Sequence, residues 1–151
     1  MTEARLARGQ ATLACLKDLA PALRTGRPVV VAGDFNEPSH LDWTEAAARA
    51  GVHPIPVTWP ATRSFAEAGL ADAWRTVHPD PIERPGLTWT PRPSAREVHD
   101  RIDIVLFGGP GVTVVDAVLV GEKDPPAGLV VTPYPSDHRA VRVRLSIRTQ
   151  S

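Results

Sequence analysis

The sequence predicts an α/β fold, and three observations predict it. An Ala- and Leu-rich N-terminal segment repeats apolar residues at helical spacing. A continuous apolar run, Pro28-Val29-Val30-Val31-Ala32, follows and reads as a strand buried on both faces. The C-terminal segment Arg139 to Arg148 alternates apolar and polar residues with period two. Helical and strand patterns thus interleave within 151 residues, enough for one domain with a real core.

The first helix is expected from about Thr2 to Leu23, because Leu6, Leu13, Leu16, Ala20 and Leu23 form one apolar stripe. Pro21 should end or kink it, and Gly26 marks the exit. After the apolar run, Ser39 has the character of an N-cap with Asp42 three residues on, opening a helix from Leu41 to Ala50. A second short helix is expected at Ala61 to Ala68, stopped by Gly69. From Asp72 to Glu97 the chain reads as mostly loop, with a short strand at Leu87 to Thr90. Strands follow at Arg101 to Phe107 and Val112 to Val120, joined by a Gly108-Gly109-Pro110-Gly111 turn. That glycine cluster is no phosphate loop, since neither Gly-Lys-Ser/Thr nor a helix start follows. In the last strand Val141, Val143, Leu145 and Ile147 share one face, and the opposite arginine row is expected to be solvated.

Composition is that of an ordinary globular protein, with 16 prolines concentrated in stiff connections. Lys+Arg and Asp+Glu both number 17, so no global positive field draws in nucleic acid. A phosphate-ester substrate would have to be held locally. Cys15 is the only cysteine, so no intrachain disulfide can form, and its helical position suits a small core residue. No apolar run is long enough to span a membrane, and charged residues interrupt any signal-peptide core. As written the chain is expected to be cytoplasmic, with secretion only if an N-terminal signal has been lost.

Polar residues concentrate at strand ends in three places: Gly33-Asp34-Phe35-Asn36, His99-Asp100-Arg101-Ile102-Asp103, and Ser136-Asp137-His138. Carboxylates beside apolar strands are costly unless paired or metal-bound, so three such places suggest one shared site. These groups suit metal-assisted attack of water on a phosphorus ester. A carboxylate can orient and deprotonate the water. An Asn amide can donate to a phosphate oxygen, and a protonated His can stabilise charge on the phosphorane oxygens. A hard cation such as Mg²⁺ prefers oxygen ligands.

The string GDFNEPSHLDW, from Gly33 to Trp43, resembles the GDFN segment of the endonuclease/exonuclease/phosphatase superfamily, the deoxyribonuclease I-like fold. HDRIDIVL, from His99 to Leu106, resembles its D-R-I-D strand, and PSDHRAV, from Pro135 to Val141, resembles its SDH motif. GLADAWR and GLTWTP are similar to segments that lie between them, and the order matches. The resemblance implies a two-sheet β-sandwich flanked by helices. It implies that Asp34 positions or activates the attacking water and that Asn36 orients water and phosphate. Asp103 takes the place of the R-I-D aspartate, Asp137 that of the SDH aspartate, and His138 that of the phosphate-contacting histidine. Asp137, Asp34 and Asn36 are the implied metal-side residues, with Mg²⁺ (or Mn²⁺) as the ion.

The family's early strand Asn, its metal-ligating Glu and its mid-chain His or Tyr have no counterpart here. Residues 1–151 are therefore expected to be the C-terminal part of one such domain, roughly one sheet and its helices, with the N-terminal half missing. The implied activity is divalent-metal-dependent phosphoester hydrolysis; the alternative is a non-catalytic remnant or interaction module of the same fold. Val141, Val143, Leu145 and Ile147 are expected on an uncovered inner sheet face with Val29–Val31, Ile102, Ile104 and Leu106. The chain alone is therefore expected to be marginal, to self-associate through that face, or to need the missing half in trans.

Blander roles compete at each position. Asp34 and Asn36 are also common turn residues, and Asp103 could pair with Arg101 or Arg139. Asp100 reads as a surface or supporting residue. His40, His53, His78 and His99 lack metal spacing and read as loop or solvent residues, with His99 a candidate site neighbour. Core or loop packing is the expected role of Trp43, Trp59, Trp74 and Trp89, the last two being the better candidates for a substrate rim.

Overall fold

The computed structural model describes residues 3–92, 98–123 and 127–148. Thr2 and the Pro93–Glu97 end of the expected loop lie outside them. Helix α1 spans Glu3–Arg24 and includes Pro21, so the helix does not end there. It is closed one turn later. Thr25 Oγ1 donates to the carbonyls of Pro21 and Ala22 at 3.0 and 3.1 Å, and Gly26, at φ 66°, makes the exit. Cys15, Leu16, Leu19, Ala22 and Leu23 face the core, whereas Leu6 and Leu13 are exposed.

Strand β1 (Val29–Asp34) is buried at Val29 only, so the expectation of burial on both faces fails. It is an edge strand of the first sheet, whose order is β1-β3-β2, with β2 at Ala71–Asp72 and β3 at Asp103–Gly108. All of its pairing is antiparallel. The register places Val31 opposite Leu106 and Gly33 opposite Ile104, so these residues share a face. That face packs on α1 and on α3 (Pro60–Glu67), where Phe65 joins Val29, Leu70, Ile104 and Leu106. Ile104 and Leu106 therefore look toward the helices, not toward the sandwich interior as the sequence suggested. The opposite face carries Val30, Ala32, Asp34, Asp103, Val105 and Phe107.

The second sheet has the order β5-β4-β6: β4 at Val112–Gly121, β5 at Leu129–Val130 and β6 at Ala140–Ile147. The short parallel β5 was not anticipated. The strands thus divide into two three-stranded sheets rather than building roughly one. Strand β3 touches β6, and α4 (Ala73–Val77) touches both β3 and β4, which joins the layers. Trp74, Ala117 and Leu119 are buried there, with Val141 and Val143 packed against them, so the expected bare inner face is partly covered. Ile147, at its far end, stays half exposed. The Gly108–Gly111 turn is tight: a Cβ on Gly109 would lie 2.7 Å from the Arg27 carbonyl oxygen.

Two further expectations need correction. The helix forecast at Leu41–Ala50 is only α2 (Glu45–Arg49), capped by Thr44, whose Oγ1 accepts from Ala47 N at 3.1 Å. Ser39 and Asp42 cannot cap it because both are buried in tertiary contacts. Segment Leu87–Thr90 is no strand; Trp89 makes isolated bridges to Asp100 and His138. Helix α4 went unforeseen inside the expected loop. No helix of the described residues is long and apolar enough to cross a membrane.

Candidate active site

The antiparallel β1–β3 ladder ends with Asp34 opposite Asp103. Both side chains leave the same face of the first sheet, at the end where β1 hands over to Phe35 and Asn36. Beyond Asp34 the chain turns sharply, with Asn36 in the left-handed region at φ 50°. The turn is stabilised by Asp34 itself: Asn36 N donates to Oδ1 at 2.7 Å and Asn36 Nδ2 to Oδ2 at 3.1 Å. Asp34 is thus both a turn residue and an exposed carboxylate whose orientation is fixed by two donors.

On the other side of Asp103 lies His138, with Nδ1 at 2.8 Å from Asp103 Oδ2. Both side chains are about a quarter exposed, so the pair is reachable from solvent. Burial pulls the imidazole down, but its hydrogen bond to Asp103 and the charges of Asp103, Asp34 and Asp137 outweigh it. The net effect raises His138 above the ordinary 6.5. Nδ1 is committed to Asp103, so chemistry toward a substrate falls to Nε2. The Trp89 ring meets the imidazole edge-on, with centroids 4.7 Å apart.

Neither arginine that could have taken Asp103 does so. Arg101 is fully buried and grips Asp42 and Asp72, each through two nitrogens at 2.7 to 3.1 Å. Arg139 holds Glu122 at 2.7 and 2.9 Å. Asp137 is exposed, and its main-chain carbonyl accepts from Thr90 Oγ1 at 2.6 Å. The structure therefore brings Asp34, Asn36, Asp103 and His138 together and sets Asp137 beside His138 in sequence and charge.

Behind the site lies a buried four-charge cluster of Asp42, Asp72, Arg75 and Arg101. Burial opposes both guanidiniums. For Arg101 the two carboxylates prevail and push it further up; for Arg75 burial prevails and lowers it. Asp72 is lowered because Arg101 overcomes the cost of its burial. Sequence reasoning missed this cluster, although Asp42 belongs to the GDFN string and Arg101 to the R-I-D string. Asp100 is half-buried and accepts from Trp43 Nε1 at 2.9 Å, a supporting role. Trp43 in turn stacks on His53, which is buried rather than solvated. Trp74 is core, not rim; Trp89 alone of the two reaches the site.

Hard-oxygen donors for a divalent cation are present in Asp34, Asn36 and Asp137. Among the described residues, however, no three His, Cys, Asp or Glu side chains group closely enough to hold a metal. The donors have suitable chemistry and do not complete a site by themselves.

This fold and this strand-end geometry define a deoxyribonuclease I-like protein. The chain belongs to the Endonuclease/Exonuclease/phosphatase family, whose pattern it matches over residues 2–138. It is 35% identical over 124 residues to the Caenorhabditis elegans "Uncharacterized protein F14F9.5", a span covering 76% of this chain and 39% of that protein. Among solved structures, truncated Caenorhabditis elegans TDP2 superposes with a TM-score of 0.56 at 20% identity, over 98% of this chain and 50% of that one. A second structure of TDP2 from C. elegans gives a TM-score of 0.56 at 19% identity, over 98% and 39%. The chain thus spans half or less of the length of these relatives.

Proposed function

We propose that this chain carries the C-terminal part of the catalytic centre of a divalent-metal-dependent phosphoesterase, which splits a phosphodiester or phosphomonoester by attack of water. The observation that carries this reading is Asp34 opposite Asp103, with Asp103 hydrogen-bonded to His138. Family membership and the deoxyribonuclease I-like fold support it. Asp34 would take the proton of the attacking water, its oxygens held in place by Asn36. Asn36 has a second amide hydrogen for a phosphate oxygen. His138, kept protonated to higher pH by Asp103, would stabilise charge developing on the phosphorane oxygens through Nε2. The cation proposed is Mg²⁺ (or Mn²⁺), which would supply Lewis-acid polarisation of the phosphate. Asp137, Asp34 and Asn36 form its share of the ligands, and an incomplete one.

Zero formal net charge favours a small phosphate ester over tight, sequence-independent duplex binding. A second reading, a non-catalytic module that keeps the motifs, is favoured by the incomplete ligand set. As a partner we propose a second copy of the chain, docked not on the inner sheet face, which is partly covered, but at the edge of β1 that is unpaired among the described residues.

The deciding experiment is hydrolysis of bis(p-nitrophenyl) phosphate by the full chain across a Mg²⁺ titration, with Asp34→Ala and His138→Ala beside it. Catalysis predicts a Mg²⁺-dependent rate that falls about two to four orders of magnitude in kcat in each variant. A background rate shared by all three proteins excludes turnover by this chain alone.

A further inference from the structure

The pair Asp103–His138 joins two segments far apart in sequence, and something must hold them in register. The segment between them in space is Leu87–Thr90. Thr88 is fully buried. Its Oγ1 accepts from both Ile102 N and Asp103 N, each at 3.0 Å. Its main-chain N donates to Asp100 O at 3.1 Å, and its carbonyl accepts from Arg139 N at 2.8 Å. One residue therefore bonds to the backbone at Asp103 and to the backbone immediately after His138. Thr90 is also buried, and its Oγ1 donates to Asp137 O at 2.6 Å. Between them Trp89 exchanges main-chain hydrogen bonds with Asp100 at 2.9 Å and sets its ring against His138.

We propose that Thr88 and Thr90 are positioning residues that clamp the strand bearing Asp103 to the loop bearing His138, and so set the geometry of that pair. A hydroxyl has two acceptor lone pairs, and Thr88 uses both on consecutive main-chain amides. Valine has the same shape without the oxygen, so Thr88→Val leaves two amides without their acceptor at the root of Asp103. Serine keeps the oxygen. Displacing a catalytic pair by about 1 Å costs on the order of a hundredfold in rate. The clamp thus rests, for its kinetic consequence, on the hydrolase reading, but its structural consequence does not.

The test is the Asp103–His138 separation in crystal structures of the full chain, read for wild type, Thr88→Val, Thr88→Ser and Thr90→Val. Wild type and Thr88→Ser should keep His138 Nδ1 at 2.8 Å from Asp103 Oδ2, and Thr88→Val and Thr90→Val should lengthen it beyond hydrogen-bond reach. A residue that merely contributed stability would lower the melting temperature and leave the pair where it was. A folded Thr88→Val with the wild-type separation overturns the proposal. Should Thr88→Val fail to fold, Thr90→Val decides: an unchanged separation there overturns it equally. Where wild type hydrolyses phosphate esters, the valine variants should lose about ten- to a hundredfold in kcat with KM little changed. An inactive wild type with the expected separations counts against turnover by this chain and leaves the clamp standing.

Discussion

Asp34 and Asp103 are register partners across the β1–β3 ladder, two carboxylates directly opposite one another on one sheet face. Like charges so placed are destabilising by a few tenths to about 1 kcal/mol. The arrangement persists because each carboxylate has its own donors, Asn36 for Asp34 and His138 for Asp103. A residual repulsion of this kind is expected at a site and not at a surface ladder.

Asp34→Asn removes one of the two charges and keeps an oxygen for Asn36 N, but its NH2 cannot accept from Asn36 Nδ2, so that hydrogen bond is lost. Relief of the repulsion and loss of one exposed bond, each on the order of 0.5–1 kcal/mol, nearly cancel, and the melting temperature should move by less than about 2–4 °C. His138 should titrate lower, since Asp34 is one of the charges that raise it. Calorimetry with an imidazole NMR titration measures both. An unchanged His138 titration would mean that the Asp34 charge does not act on the imidazole.

The Asp103–His138 pair gives stability a definite pH dependence. His138 is raised in the folded state, so the fold holds that proton more tightly than the unfolded chain does. Its contribution is fully present below about 6.5, the ordinary histidine value. It disappears as pH rises through the raised folded value. Melting temperature should therefore fall across that window in wild type and fall less in Asp103→Asn. Thermal scans from pH ~5.5 to ~8.5 check this, and parallel curves for the two proteins would contradict it.

Arg101 makes a different kind of demand. It is fully buried between Asp42 and Asp72, and among the described residues Arg101 is the charged group ion-paired with Asp72. Arg101→Met would strand a buried carboxylate, at a cost of roughly 3–5 kcal/mol. Urea denaturation should show a large drop in midpoint at neutral pH. The depressed Asp72 contributes stability that is complete above the ordinary aspartate range, near 3.8, and is lost only as pH falls below it. The wild-type cluster should thus outlast mild acid. A midpoint within experimental scatter of wild type would show that the cluster is not holding the layers together.

The same cluster shows how far the sequence could be read. Strands β3, β4 and β6 and helices α1 and α3 were legible because periodicity is local. That Asp34, Asn36, Asp103 and His138 come together was legible because short motifs place them at or beside strand ends. Arg101 was not: its neighbour Asp103 is two residues away, yet its partners come from the loop after β1 and the start of α4. Ser39 and Asp42 imitate a helix start, and tertiary contacts pull both inward instead. Helix α4 is only five residues long and is held by the Asp72 cap to Arg75 N at 3.2 Å and by core burial of Trp74, neither of which a periodicity shows. The face of Ile104 and Leu106 was misread because β3 packs on helices at one side and near β6 at the other, so both faces carry apolar residues.

The last expectation concerns the open edge of the first sheet. Among the described residues β1 pairs only with β3, so its outer backbone groups form an unprotected edge. Val30 beside that edge is 47% exposed, and Ala32 and Gly33 are exposed too. Along the edge runs a cleft of about 400 Å³ between α1 and β1, lined by Ala7, Ala11, Cys15, Val31 and Phe35 and also by Asp34 and Asn36 of the candidate site. An extended segment laid there would gain main-chain hydrogen bonds and apolar contact together, the recognition mode of strand addition. The occupant proposed is β1 of a second copy, antiparallel across a two-fold axis, because a strand edge is self-complementary. Zero formal net charge puts no long-range repulsion in its way. Light scattering should give a mass that rises above 16.3 kDa with concentration. Val30→Lys puts a charge where natural edges carry one and should return the chain to monomer with its fold intact. A wild-type chain that stays at the monomer mass across the whole concentration range, melting cooperatively, would mean that the β1 edge is no docking site.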